Sequence, residues 1–170
     1  MFLPLNCFPF VPALRAAWPT IRGEYESLLP SEFEAWPGVS LYGRGWDVYG
    51  LYAAGRRLTY NAVFCPQTTQ LLEQQVPGLV NAGFSRLAPG THISPHVGYT
   101  TDVLRLHLTL VNSGQGALRV GGQQRRWVEG ECLVFDDTVE HEAWHHGPGE
   151  RVVLLLDFAR PAARAASLAP

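Results

Sequence analysis

His96 and His141 are the side chains best placed by type and order to share a metal ion. His96 closes the cluster Pro89-Gly90-Thr91-His92-Ile93-Ser94-Pro95-His96-Val97-Gly98. His141 lies within Phe135-Asp136-Asp137-Thr138-Val139-Glu140-His141-Glu142-Ala143-Trp144. A third feature, Arg151, opens the apolar run Val152 to Phe158. Neutral imidazole suits divalent iron, and a face of two histidines and one carboxylate leaves three positions open for a cosubstrate and dioxygen. On a jelly roll such ligands come as His-x-Asp or His-x-Glu from one strand and a distant histidine from a later one. Here the residue two after His96 is Gly98, which cannot ligate.

Several acids lie near enough in sequence to be considered for the missing ligand. Glu140 and Glu142 flank His141 and would face away from it on a strand. Asp136 and Asp137 precede a turn, where aspartate favours local backbone bonds. Asp102 lies in the loop after the first cluster. A carboxylate bonded to the outer nitrogen of a ligating imidazole is a commoner role than direct ligation. His92 is a reserve ligand, while His145 and His146, beside Gly147-Pro148-Gly149, read as a loop tip.

The elements that would carry these groups are mostly strands. Side chains alternate along a strand, so Leu104, Leu106, Leu108 and Leu110 share one face and Arg105, His107 and Thr109 the other. That second face must be solvated or must line something polar. Further strands are expected at 46–52, 83–88, 93–96, 117–121, 125–128, 132–136, 140–144 and 151–158, with turns at Asn112-Ser113-Gly114 and Gly121-Gly122. The spacing predicts one helix over 12–29 and a shorter one over 66–75, each beginning at a proline. Many short strands argue for a sandwich, jelly roll or barrel.

Composition bounds the rest. A chain of 170 residues suits a single domain that buries about 70% of its unfolded surface. We divide it into a support region at 1–78, a β core at 79–160 and a tail at 161–170. The net charge of −2 shows no block of like charges, which disfavours a nucleic-acid partner. No apolar run is long enough for a membrane span. Three widely spaced cysteines, Cys7, Cys65 and Cys132, suggest free thiols and a reducing, cytoplasmic setting.

Together the stretches PGTHISPHVG, LRLHLTLV, LRVGGQQRRWVEGECLVFDDTVEHEAW and RVVLLLDFARP closely resemble the aspartyl/asparaginyl β-hydroxylase family. The early FPFVPALRAAWPTIRGEYESL and the middle CPQTTQLLEQQVPGLVNAGFSRLAPGT are also similar to it. The resemblance implies a mainly β fold, a double-stranded β-helix (jelly roll, cupin-like). It implies Fe(II) on His96 and His141, with Gly98 shared by the family and water in the carboxylate's place. It implies 2-oxoglutarate held through its far carboxylate by Arg151, with His107 and Ser85 in support. Arg105 would face the substrate as the catalytic-site arginine, and Trp144 would pack the site wall.

The implied reaction is a dioxygenase hydroxylation of an aspartyl/asparaginyl-type or related amino-acid substrate, free, in a peptide or carrier-bound. Dioxygen would oxidise 2-oxoglutarate to succinate and CO2. Val103 and Gly83 stand two before Arg105 and Ser85, where a second basic residue is expected in members acting on acidic side chains. Two other functions fit the same residues: a halogenase holding chloride at the vacant ligand position, and a non-enzymatic cupin-like metal-binding or sensing module.

Overall fold

A computed structural model describes residues 1–161. The tail assigned to 161–170 lies, beyond Pro161, outside the described residues. The strands are β1 (Phe2–Leu3), β2 (Glu34–Ala35), β3 (Trp46–Ala53), β4 (Arg56–Arg57), β5 (Leu79–Leu87), β6 (Thr91–His96), β7 (Val103–Asn112), β8 (Gly116–Val120), β9 (Gln123–Arg125), β10 (Cys132–Phe135), β11 (His141–His145) and β12 (Arg151–Ala159). The α-helices are α1 (Val11–Ala16), α2 (Trp18–Glu26), α3 (Thr59–Ala62) and α4 (Pro66–Gln75).

Eight strands form the larger sheet, ordered β1-β10-β7-β12-β5-β3-β2 with β4 paired to β3. The smaller sheet runs β6-β11-β8-β9. All strand pairs within both sheets are antiparallel. Alternation sorts the side chains of the larger sheet as the leucine pattern requires. Leu104, Leu106, Leu108 and Leu110 of β7, with Val152, Leu154, Leu156 and Phe158 of β12, face the helices and are buried. Each such burial stabilises the fold by about 1.5–3 kcal/mol. Val153 and Leu155 of β12 face the other way and pack with Ile93, Leu118, Val120 and Ala143 of the smaller sheet. The result is a jelly-roll sandwich with one sheet backed by helices. β3, from the region expected as support, lies inside the larger sheet between β5 and β2.

The single helix expected over 12–29 is instead two. It breaks at Ala17, whose ψ is 1°, and restarts at Trp18 with Pro19 in its first turn. Pro19 has no N–H to continue the α1 ladder. The second helix ends at Glu26, and Pro30 holds Leu29 extended at ψ 136°. The helix at 66–75 forms as expected. Its first-turn amides on Gln67 and Thr68 donate to the buried Glu24 carboxylate of α2, each at 2.8 Å, so α2 supplies the cap that α4 lacks locally.

Candidate iron and 2-oxoglutarate site

Strand pairing brings the two histidines together. β6 and β11 are neighbours, His96 and His141 are registered opposite one another, and their rings lie 4.2 Å apart between centroids. Each ring is oriented by a backbone carbonyl two residues earlier. Nδ1 of His96 lies 2.8 Å from the Ser94 oxygen, and Nδ1 of His141 lies 2.9 Å from the Val139 oxygen. A carbonyl only accepts, so each Nδ1 carries the proton and each Nε2 keeps its lone pair. Burial pushes the His141 imidazolium down to about 4, which keeps that ring neutral at physiological pH. Two imidazoles whose Nδ1 atoms face carbonyls and whose Nε2 atoms stay without a protein partner fit Fe(II).

The place of the missing carboxylate is filled from another strand connection. A Cβ on Gly98 would run into the carboxylate of Asp137, and the Gly98 amide donates to the Asp137 carbonyl at 2.7 Å. Asp137 is buried, one of its carboxylate oxygens has no partner, and burial raises its pKa. Among the described residues no three His, Cys, Asp or Glu side chains approach closely enough to enclose a metal ion. Asp137 thus takes the space that a side chain at residue 98 would need, with Arg105 at 3.3 Å on its other side.

The other end of the cavity holds an unpaired cation. Arg151 is 1% exposed. Burial alone lowers its pKa to about 9, but arginine stays protonated at neutral pH. No carboxylate contacts it among the described residues. Its Nε has no partner, one terminal nitrogen reaches the Ser85 carbonyl only at 3.4 Å, and the group lies 4.6 Å from the Trp127 ring centroid. A buried, unneutralised guanidinium is expensive unless an anion joins it. Two further donors border the same cavity. The Trp127 indole N–H donates to Nδ1 of His107 at 3.4 Å, which places the His107 proton on Nε2. Burial and the charges of Arg151 and Arg105 hold the His107 pKa well below its usual value, so the ring is neutral. The Trp46 indole donates to Ser85 Oγ at 3.0 Å, leaving the serine hydroxyl free to donate. Arg151, His107, Ser85, His96, His141 and Arg105, all six residues singled out from sequence, line one cavity, with apolar walls from Ile93, Leu118, Phe135 and Leu155.

The profile of the family described as Aspartyl/Asparaginyl beta-hydroxylase matches residues 15–161. The chain belongs to the aspartyl/asparaginyl β-hydroxylase family. It is 37% identical over 165 residues to the ornithine lipid ester-linked acyl 2-hydroxylase of Rhizobium tropici, covering 91% of this chain and 58% of that protein. It is 35% identical over 121 residues to the human aspartyl/asparaginyl beta-hydroxylase, covering 68% of this chain and 16% of that protein. The chain thus spans well under two thirds of these relatives. Among solved structures it is similar to a 2OG-Fe(II) oxygenase family oxidoreductase from Burkholderia pseudomallei, with TM-score 0.62, 12% identity and coverage of 88% and 90%. It is also similar to a Pseudomonas putida prolyl-4-hydroxylase, with TM-score 0.53, 18% identity and coverage of 94% and 89%. Family and fold are those of dioxygenase-type hydroxylases.

Within this family member the structure corrects two sequence expectations. Trp144 does not pack the site wall: on β11 it alternates with His141 and Ala143, so its ring points outward and meets His92 edge-on at 6.4 Å. His145 is no loop tip, since it ends β11 fully buried, with Nε2 2.7 Å from the Gly149 carbonyl. His146 is exposed as expected. Glu140 and Glu142 face away from the site and both bind Arg119.

Sequence reading missed Asp157, Trp46 and Trp127. Asp157 had a usable signal, an acid inside the run Leu154-Leu155-Leu156-Asp157-Phe158, two places after a cavity-facing leucine. Its partner did not: Asp157 is registered opposite Arg105, 52 residues away, and the two form a bidentate pair at 2.7 and 3.0 Å.

Proposed function

We propose that this chain is an Fe(II)- and 2-oxoglutarate-dependent dioxygenase that hydroxylates an unactivated C–H bond. The observation that carries the reading is the buried Arg151 guanidinium without a counter-ion, bordered by the His107 and Ser85 donors, in the cavity that also holds the free Nε2 atoms of His96 and His141. Arginine offers a planar, bidentate site for a carboxylate, and the far carboxylate of 2-oxoglutarate supplies the missing charge. His96 and His141 would hold Fe(II), which supplies the activation of dioxygen as 2-oxoglutarate is oxidised to succinate and CO2. The chain itself fixes the two imidazoles through Ser94 and Val139, neutralises the cosubstrate through Arg151, and keeps water out with Phe135, Leu118 and Ile93. Asp137, whose carboxylate takes the space beside Gly98, would accept a hydrogen bond from a water at the metal.

An aspartyl/asparaginyl-type or related amino-acid compound, free, in a peptide or on a carrier, is the substrate class that the family points to. A second class, a lipid acyl group, is favoured by a specific observation: Arg105 is already engaged by Asp157 and Asp137 and offers little to an acidic substrate. The three free thiols support a reducing, cytoplasmic setting.

The test is anaerobic addition of Fe(II) and 2-oxoglutarate, followed in the visible range. The expected result is a weak charge-transfer band that is lost in His96→Ala and in His141→Ala. A band that survives in both variants removes these residues from the metal. Succinate release then screens aspartyl, asparaginyl and acyl compounds.

A further inference from the structure

The loop that follows His96 has no apolar anchor. None of its six residues, 97–102, is buried, and Tyr99 is fully exposed. Burial does not hold such a segment, so its hydrogen bonds must. The strand ladder beside it is irregular as well. His141 is registered opposite His96, but the β6–β11 register shifts between His141 and Ala143, at the end of the sheet where both histidines lie. Residues 136–140, which lead into His141, also lie outside any strand. Each histidine thus adjoins a segment that no strand pairing fixes.

Arg160 binds both segments. It follows β12, whose last residue, Ala159, is registered opposite Val103 at the end of the loop. Pro161 disfavours a helical conformation at Arg160, so the chain leaves the strand without turning back. The Arg160 amide donates to the Asp102 carbonyl at 2.8 Å, and Nε donates to the Thr101 carbonyl at 2.9 Å. One terminal nitrogen pairs with the Asp136 carboxylate at 2.9 Å and lies 3.4 Å from the Val103 carbonyl. The planar fork of arginine presents donors in fixed directions, which lets one side chain serve two segments at once.

These bonds close a ring. The second carboxylate oxygen of Asp136 accepts from the Thr138 amide at 3.1 Å and the Thr138 hydroxyl at 2.7 Å. The Asp136 carbonyl accepts from the Val139 amide at 3.2 Å, and the Val139 carbonyl in turn orients His141. The next residue, Asp137, accepts the Gly98 amide, which returns to the loop. Among the described residues, that bond and those from Arg160 are the loop's hydrogen bonds to the rest of the chain. The Arg160 and Asp136 side chains are 38% and 22% exposed. An ion pair so placed adds little to global stability.

We propose that Arg160 is a positioning residue for the iron centre. It holds the turn before His141 against the loop after His96, and so fixes the two imidazoles relative to one another. It acts through Asp136 and the loop carbonyls. The proposal rests on the reading of His96 and His141 as iron ligands and extends their support to a residue outside the cavity.

The experiment compares the full chain with Arg160→Ala, Asp136→Asn and the double variant. Arg22→Ala serves as a control, because Arg22 is similarly exposed and binds Glu26 and Glu129 away from the site. The first readout needs no metal: hydrogen exchange of the Gly98 amide followed by NMR. Exchange should quicken about tenfold in Arg160→Ala and stay at the parent rate in Arg22→Ala. The second readout is anaerobic titration of the charge-transfer band. The Fe(II) concentration for half the band should rise about tenfold in Arg160→Ala. Half-saturation by 2-oxoglutarate at excess Fe(II) should stay within about twofold, since Arg151 is untouched. Asp136→Asn should have a similar effect, and the double variant should be no worse than either single one. Unchanged Gly98 exchange, an unchanged Fe(II) requirement, or Fe(II) and 2-oxoglutarate requirements that rise together would each overturn the proposal. So would the same Fe(II) rise in Arg22→Ala. Quickened Gly98 exchange in a protein whose parent gives no band would uphold the clasp and defeat the dioxygenase reading instead.

Discussion

Arg105 and Asp157 face each other across β7 and β12 in a two-bond ion pair, 2.7 and 3.0 Å long, at the junction between the cavity that holds His96 and His141 and a neighbouring apolar trough. The pair is largely shielded from solvent, with side-chain exposures of 14% and 5%. The arginine expected to face the substrate lines both spaces and is held there by two carboxylates, Asp157 and Asp137.

Removing Asp157 takes away the two-bond partner of Arg105 and leaves it only the Asp137 contact at 3.3 Å. Asp157→Asn should destabilise the fold by about 3–5 kcal/mol, visible as a lowered midpoint in urea unfolding. The same variant opens the Nε edge of the guanidinium to another carboxylate. Aspartyl compounds that do not stimulate succinate release in the parent should begin to do so. Unchanged stability together with unchanged selectivity would dissociate Asp157 from both roles.

The unpaired Arg151 predicts stabilisation by its anion. At a hundredfold excess over Kd a ligand adds about 2.7 kcal/mol, which for a chain of this size is a rise of roughly 5–10 °C in Tm. 2-Oxoglutarate or succinate should produce such a rise in the parent and none in Arg151→Ala. The variant's apparent affinity for 2-oxoglutarate should fall at least about a hundredfold, matching a loss of about 3–5 kcal/mol. Differential scanning fluorimetry and 2-oxoglutarate titration check both.

Gly98 and Asp137 should be energetically coupled. Gly98→Ala forces a methyl group against the Asp137 carboxylate and should cost about 1–3 kcal/mol. In the Asp137→Ala background the clash is absent, so the double-mutant cycle should return a coupling of about 1–3 kcal/mol. Additivity in chemical denaturation would mean that the carboxylate does not occupy that space.

His107 depends on Trp127 for its tautomer. Trp127→Phe keeps the aromatic ring over Arg151 but removes the indole N–H. The His107 proton is then no longer confined to Nε2. The expected effect is a rise of several-fold in the 2-oxoglutarate KM, with the Fe(II) requirement unchanged. Steady-state titrations of both components give the answer.

Much of the cavity's lining was legible from the chain alone, for reasons of local geometry. Side chains alternate along a strand, so the leucines of 104–110 and their polar opposites could be sorted without knowing what lay on either side. The order of His96, His141 and Arg151 identified two candidate ligands and one candidate anion partner, and the cavity contains all of them. The helix at 66–75 was equally local, since Pro66 fixes its start. Where local signals competed, the sequence reading failed. Apolar periodicity across 12–29 concealed the break at Ala17 and Pro19, and adjacency to His141 misplaced Trp144 on the inner face.

Strand register decided the remainder. No spacing rule pairs Asp157 with Arg105, or brings Asp137 into the room left by Gly98, because both depend on which strands become neighbours and how they align. The apolar trough beside Arg105 is of the same kind, since Leu58 and Tyr99, 41 positions apart, line it together only when the chain is folded. The amino-acid sequence by itself determined which groups are candidates to hold iron and a dicarboxylate. Tertiary structure decided which of their charges are already satisfied, because neutralisation requires contact within a few ångströms between residues distant in the chain.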